Sequence, residues 1–465
     1  MEVSIPLFGP SYSHRSQSVG NQLTQGFYPD VNRQSNEQTA LMPFPGLTVF
    51  SNDRVGACRG LGKYANTLFS VNANTLYSID SNGTSTAIGN ISGTGRCVLT
   101  NDGFNLVITT GETKPYAYDG TSLTLGTDTS LANSSTSAFI NKRVVYDGDD
   151  GDIIIADVNE PLSVTLGNVV EVQSQPDATL AAWAFKQQLY AAGEETIQPY
   201  WNPGDVTPAF QPVSNSVQQI GVKAKYSIAY NKEFTYFLGS DLNVYRYDGL
   251  SLVAIGDTAI CQAIASYVDT EDAYGAAFSF DSLEFYLLTF FTGNQTWLFN
   301  EQSGLWTNLT FGEYNDAYLA YSYIKMYGKH LIADRRNGEL LQLDFDAFTD
   351  NGEVIQRRRQ TVALTAKLLG LPGRRVTMNW LRILLEPGVS QINSPANMIM
   401  EYSDDDGHTW SSELWSSVGP LGDYEYMVEW AQLGTFYKRM FRFTMTDPVK
   451  WVLIDAVADV EVGLD

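Results

Sequence analysis

The feature that most constrains this chain is a rhythm. Seven times an apolar run is followed by a short polar break and a second run that ends in an acid or an amide. The second runs are TLYSID, KPYAYDG, DIIIAD, TIQPYWN, NVYRYDG, QTWLFN and ELLQLD, and each follows a partner such as LFSV, NLVITT or LEFYLLTF. Their terminal residues Asp80, Asp119, Asp157, Asn202, Asp248, Asn300 and Asp344 recur at intervals of 38 to 52 residues. β-Branched and aromatic residues fill the runs, while Gly, Asn and Asp fill the breaks, where a positive φ or a side-chain-to-backbone bond is needed. Each pair therefore reads as a hairpin. A lone hairpin cannot bury its own face, but four-stranded units of about 40 to 50 residues set radially can. The rhythm predicts an all-β fold with a β-propeller of about seven blades over residues 57–350.

Residues 1–56 lack this periodicity and are rich in polar and turn-forming residues, so they read as an extended N-terminal arm. Its run LTVF is positioned to close the last blade, which would remove the exposed strand edge of an open ring. After Asp350 the rhythm breaks. VTMNWLRILLE, NMIMEYSDDDGHTW, TFYKRMFRFTMT and KWVLIDAVADVEV predict a C-terminal antiparallel β-sandwich-like domain over residues 351–465.

Acids outnumber bases 52 to 29, for a formal net charge of −23. That balance disfavours a protein that grips nucleic acid by neutralising phosphates. It leaves two readings, simple solubility or a surface that holds no polyanion. Three cysteines, Cys58, Cys97 and Cys261, are too few and scattered for a disulfide framework or a Cys-based zinc site. His14, His330 and His408 form no metal-binding pair, so neither metal nor cofactor is expected. The first residues lack the pattern of a signal peptide and no run of 18 apolar residues offers a membrane helix, so folding in a reducing cytoplasm is expected. No phosphate-binding loop or nucleophile elbow occurs.

One motif hints at chemistry. Ser403, Asp405, Gly407, Thr409 and Trp410 fill Ser-x-Asp-x-Gly-x-Thr-Trp, the Asp-box pattern known from sialidases. The motif needs little chemistry: Asp accepts backbone N–H bonds, Gly permits the reversal, and Trp packs beneath the turn. It reads as a structural turn in which Asp405 bonds backbone and Trp410 seals the loop into the core, with a glycan-binding or glycan-cleaving propeller as the alternative. The acidic stretches Asp147–Asp152, Gly193–Thr196 and Asp269–Asp272 could be posed as acid/base pairs or a calcium loop, but fit solvated turns better. Two basic clusters stand out on this acidic chain, Arg357, Arg358 and Arg359 with Arg374 and Arg375. They read either as a salt-bridging contact with a neighbouring subunit or as solvated strand ends.

The order of features resembles a known family. GFYPDVNRQSNEQTALMPFPGLTVF, then EVQSQPDATLAAWAFKQQLYAAGEETIQPYWNPG, then MEYSDDDGHTW with LGTFYKRMFRFTMTDPVKWVLIDA are similar to segments of the tail-hub, or packaged-DNA stabilisation, proteins of short-tailed bacteriophages. The resemblance spans nearly the whole chain. It implies a structural virion protein, not an enzyme, assembled in the host cytoplasm into a homo-oligomeric ring, usually six copies. Such a ring sits below the portal and adaptor rings, extends the DNA channel, helps retain the genome, and carries the tail needle with tailspikes or fibres. DNA would pass through without sequence-specific binding.

Overall fold

The seven sequence hairpins become the two middle strands of seven four-stranded antiparallel sheets. The computed structural model describes residues 1–463 apart from 14–19, 32–38, 150, 173–176, 205–206, 370–371, 387–395 and 420–425. The innermost strands of the seven sheets are Cys58–Tyr64, Val98–Asn101, Ser137–Ile140, Ala181–Phe185, Ala229–Tyr230, Tyr274–Phe280 and Ala320–Met326. The innermost strand of the seventh sheet packs against that of the first, so the sheets close into a ring of seven blades.

Each junction between successive blades holds its own apolar core. Phe69, Leu76, Leu106 and Ile108 join blades one and two, Trp183, Phe185, Phe237 and Tyr245 join four and five, and Cys58, Leu68, Leu331 and Leu340 join seven back to one. Every blade thus buries both faces against neighbours, which is why a repeat unable to fold alone is stable in the ring. The acid or amide that ends each hairpin has a specific task. Asp80, Asp119, Asn202, Asp248, Asn300 and Asp344 each accept the N–H two residues onward at 2.7–3.0 Å, forming Asx turns that lead out of the third strand. Asp157 instead receives the hydroxyls of Ser163 and Thr165.

The seventh blade takes its outer strand from the other end of the chain. Gly46–Ser51 pairs antiparallel with Leu340–Asp344, with Leu47 opposite Leu343. The LTVF run lies within this outer strand. Gly46 is required by space: a Cβ there would lie 2.5 Å from the Ala347 carbonyl oxygen and 2.6 Å from that of Thr349.

The rest of residues 1–56, expected as an extended arm, adds strands to the second domain. Glu2–Ser4 and Thr39–Pro43 pair with Leu453–Val462, and Phe27–Val31 pairs with Thr39–Pro43. These join Val376–Leu385 and Tyr426–Phe436 in one sheet of a sandwich. The facing sheet holds Arg357–Gln360, Lys438–Met445, Asn397–Ser403 and Leu414–Ser417. Between them lies a core including Trp430, Phe441, Phe443 and Trp451, to which the N-terminal segment contributes Ile5, Leu7, Phe27 and Leu41. Strand Asn21–Gln25 links the domains, lying antiparallel to Arg357–Gln360 and bridged in parallel at Gln25 to Asn308 of blade six. One continuous sheet therefore runs from blade six into the sandwich. Among the described residues no helix is long and apolar enough to cross a membrane.

Candidate functional site

The arginine run lies at this joint, in a strand flanked on both sides, so alternate side chains point to opposite faces. Arg357 and Arg359 turn inward and are 1% and 0% exposed, while Arg358 is half-buried. Both readings of the run, a contact with a neighbouring subunit or a solvated strand end, are corrected here for Arg357 and Arg359, which are sealed within their own chain. A cation buried this deeply is tolerated only when its donors are satisfied or its charge is balanced.

Arg359 solves this with oxygens. It donates to the carbonyl of Leu7, to Leu23 O at 3.2 Å, Thr24 Oγ1 at 3.1 Å, Gln360 O at 2.8 Å and Gln22 Oε1 at 3.0 Å. Most of those acceptors belong to the N-terminal segment, so one guanidinium fastens residues 7–24 to the sandwich. Burial pushes its pKa down to about 9, which still leaves it charged at neutral pH. Arg357 donates to the Phe44 carbonyl at 3.1 Å and shares the interior with Asp350. Burial drives the Asp350 carboxyl up to about 7, an effect that Arg357 only partly opposes. Nearby Gly26 has φ +72°, and an added Cβ would meet Arg357 Cγ at 3.0 Å.

Arg374 and Arg375 are not brought to this cluster. They precede Val376–Leu385 in the opposite sheet, Arg374 reaching the Gly463 carbonyl at 3.3 Å and exposed Arg375 lying 5.0 Å from the Tyr437 ring. Sequence reasoning missed a stronger cation. Arg439, 3% exposed, clamps Asp404 with bonds of 2.6 and 2.7 Å and stacks over Tyr402 at 3.9 Å. Its signal was faint, because Arg439 alternates with Lys438 and nothing in spacing alone says which cation faces inward.

The Asp-box occupies the connection between strands Asn397–Ser403 and Leu414–Ser417. Asp405 Oδ1 accepts the Thr409 N–H at 2.8 Å and the Ser403 hydroxyl at 2.7 Å, and Oδ2 accepts the Thr409 hydroxyl at 2.6 Å. Ser403 Oγ in turn accepts the Gly407 N–H at 2.9 Å. The bonds from Thr409 and Ser403 hold the Asp405 carboxyl down to about 2. Gly407 has φ +91°. Trp410 departs from expectation: it is half-buried on the sheet surface, with the Arg442 guanidinium 4.0 Å above its ring, and does not enter the core. Arg442 itself forms a two-bond pair with Glu401 at 2.7 and 2.8 Å.

The other acidic stretches also lie in bonded turns, Gly193–Thr196 being held by Asp177 from outside the stretch. Asp147 accepts the N–H groups of Ser135 and Thr136 and both their hydroxyls. Asp177 accepts the N–H groups of Glu194, Glu195 and Thr196 at 2.8 Å each. Asp269 accepts the Glu271 N–H at 2.8 Å. Asp150 lies outside the described residues, as do Gln175 and Pro176 of the Gln-Pro-Asp motif and residues 32–38 of the first arm motif.

Comparison with known proteins matches the whole architecture. A family model described as bacteriophage P22 Gp10, beta-propeller, covers residues 3–348, and a second, bacteriophage P22 Gp10, beta-sandwich, covers residues 361–461. No curated protein sequence matches the chain. Among solved structures, the computationally designed Ika8 protein is 12% identical with a TM-score of 0.42, covering 64% of this chain and 100% of its own. The extracellular domain of the putative one component system BT4673 from B. thetaiotaomicron is 9% identical with a TM-score of 0.44, covering 82% of this chain and 50% of its own. The chain belongs to the bacteriophage P22 Gp10 family, structural tail proteins of short-tailed phages built as a β-propeller followed by a β-sandwich.

Proposed function

We propose that six copies of this virion protein close into a ring beneath the portal and adaptor rings, extending the DNA channel and helping retain the packaged genome. The ring also carries the tail needle and tailspikes or fibres, and it assembles in the host cytoplasm. The observation that carries this reading is the family match across both domains, in order and over nearly the full chain.

Two physical points support it. Strand Asn21–Gln25, which bridges to blade six and is bonded by Arg359 at Leu23 and Thr24, ties propeller to sandwich, which suits a part under load. The cavity along the propeller axis is about 590 Å³, the size of a small-molecule pocket, and in this reading the DNA path runs between copies and not through one propeller. Heterologous contacts closing by rotation would make that path. With a net charge of −23, acids facing the lumen would repel phosphate and let DNA slide.

Native mass measurement of the purified chain, alone and mixed with its portal–adaptor assembly, tests the ring. Six copies on that assembly are expected, and a stable monomer that never joins it would overturn the reading. The glycan reading rested on the Asp-box, whose Asp405 has both oxygens engaged by Thr409 and Ser403, and we do not carry it further.

A further inference from the structure

We infer that the propeller axis is a binding site for a small multivalent oxyanion, a phosphate or a polycarboxylate. All seven blades line the cavity of about 590 Å³ that runs along it. Among the described residues its lining includes Lys63, Arg96 and Lys225 and not one Asp or Glu. In a chain with 52 acids and 29 bases, a wall of this sign is the reverse of the molecule around it.

Two of these cations converge. Arg96 precedes strand Val98–Asn101, and Lys225 opens the turn before strand Ala229–Tyr230, so both stand where the innermost strands begin. They share the Tyr226 ring, Arg96 Cζ lying 5.2 Å and Lys225 Nζ 5.4 Å from its centroid. Tyr321 and Tyr274 also face Arg96, at 3.8 and 4.4 Å. Rings hold the guanidinium by its faces and leave its edge, where the N–H donors lie, directed elsewhere.

Those donors are largely unspent. Arg96 makes one hydrogen bond among the described residues, from Nη1 to the Tyr321 carbonyl. Arg59 shows how the same propeller treats a purely structural arginine: it donates to the carbonyls of Gly95, Ala73, Ile91 and Ser92. The nearby carboxylates do not neutralise Arg96. Asp147, behind the wall, is saturated by Ser135 and Thr136. Glu194, Glu195 and Glu271 line an adjoining cavity of about 350 Å³ that Lys225 also borders, and Glu271 pairs there with Lys223 at 2.8 Å. A half-buried cation with free donors and a second cation on the same ring attracts an anion able to accept several charge-assisted bonds at once.

Isothermal titration of the full chain at low salt with inorganic phosphate, and separately with citrate, tests this. Saturable binding of either anion is expected, and the one that binds names the class. Arg96→Gln should weaken it by about tenfold or more, Arg96→Lys less, and Lys225→Gln by several fold. The exposed sandwich variant Lys367→Gln should leave it unchanged. If Arg96→Gln fails to fold, Lys225→Gln carries the same test from the half-buried rim. Absence of saturable binding by both anions, or binding that survives loss of these cations, would overturn the site.

Discussion

Replacing Arg359 by methionine asks whether the N-terminal segment is truly fastened by one buried guanidinium. Methionine keeps most of the volume and removes the charge and every donor. The buried Leu7 carbonyl then loses its hydrogen-bond donor, at a cost of about 1–3 kcal/mol. The bonds to Thr24 Oγ1, Gln360 O, Leu23 O and Gln22 Oε1 go as well, each contributing about 1 kcal/mol at most because the carbonyls lie in ladders, Gln22 is only half-buried and Thr24 keeps its bond to the Gly9 carbonyl. Relief of the cation's desolvation offsets part of this. A net loss of about 3 kcal/mol is expected, local to the segment. Hydrogen exchange resolves such local opening, and 3 kcal/mol corresponds to a rise of about a hundredfold in exchange for the amides of residues 5–13 and 20–25. Arg358→Met, on the half-buried face of the same strand, should change those rates little. Unchanged or slower exchange in Arg359→Met would show that desolvation outweighs the bonds, and the fastening would then lie in the strand ladder alone.

Three further outcomes follow from the same geometry. Gly46→Ala puts a methyl group of the closing strand against the carbonyl oxygens of Ala347 and Thr349, and a loss of about 1–3 kcal/mol should appear as a lower propeller melting midpoint by calorimetry. Asp350 has a folded-state pKa raised from 3.8 to about 7, so the folded state binds the extra proton between those values. Its contribution is full below about pH 4 and is lost as pH rises through about 7, so Asp350→Asn should gain stability relative to the parent over that window in urea titrations. Asp405, held down to about 2, works in the opposite sense: its contribution is present above about pH 4 and is lost as pH falls through about 2. Asp405→Ala should expose the Thr409 amide to exchange at neutral pH while leaving the oligomeric mass unchanged.

What could be read in advance was whatever repeats. The seven hairpins were legible because six of them, ending at Asp80, Asp119, Asn202, Asp248, Asn300 and Asp344, use the same Asx turn, which leaves an Asp or Asn at the same place, and Asp157 ends the seventh with a carboxylate that bonds hydroxyls instead. The Asp-box was legible for the same reason, since its bonds run between residues at most four apart. The arginines were not. Whether Arg359 faces a partner or the interior depends on Leu7, Gln22 and Thr24, more than 330 residues away in sequence, and no local pattern records that distance. Trp410 misled for a related reason: its natural burial partner would be the core, yet Arg442 supplies a cation above the ring and holds it at the surface.

The long-range pairings also impose an order on folding. Gly46–Ser51 cannot find its partner until Leu340–Asp344 has been made, and Glu2–Ser4 waits for Leu453–Val462. Both ladders carry a large loop-closure cost that must be met before any of their bonds form. The first five blades pair only within themselves and meet no such delay. Blade six completes its own four strands too, but its sheet extends into the sandwich only when Asn21–Gln25 docks. The N-terminal segment is therefore made first and placed last, and its polar, turn-rich composition suits a strand that waits: an apolar segment of that length would present an unpaired edge to other nascent chains. Arg359 and Arg357 fit the same logic, because the carbonyls of Leu7, Leu23 and Phe44 presented by the late segment select the right partner by hydrogen bonding, which an apolar contact of equal area would not do.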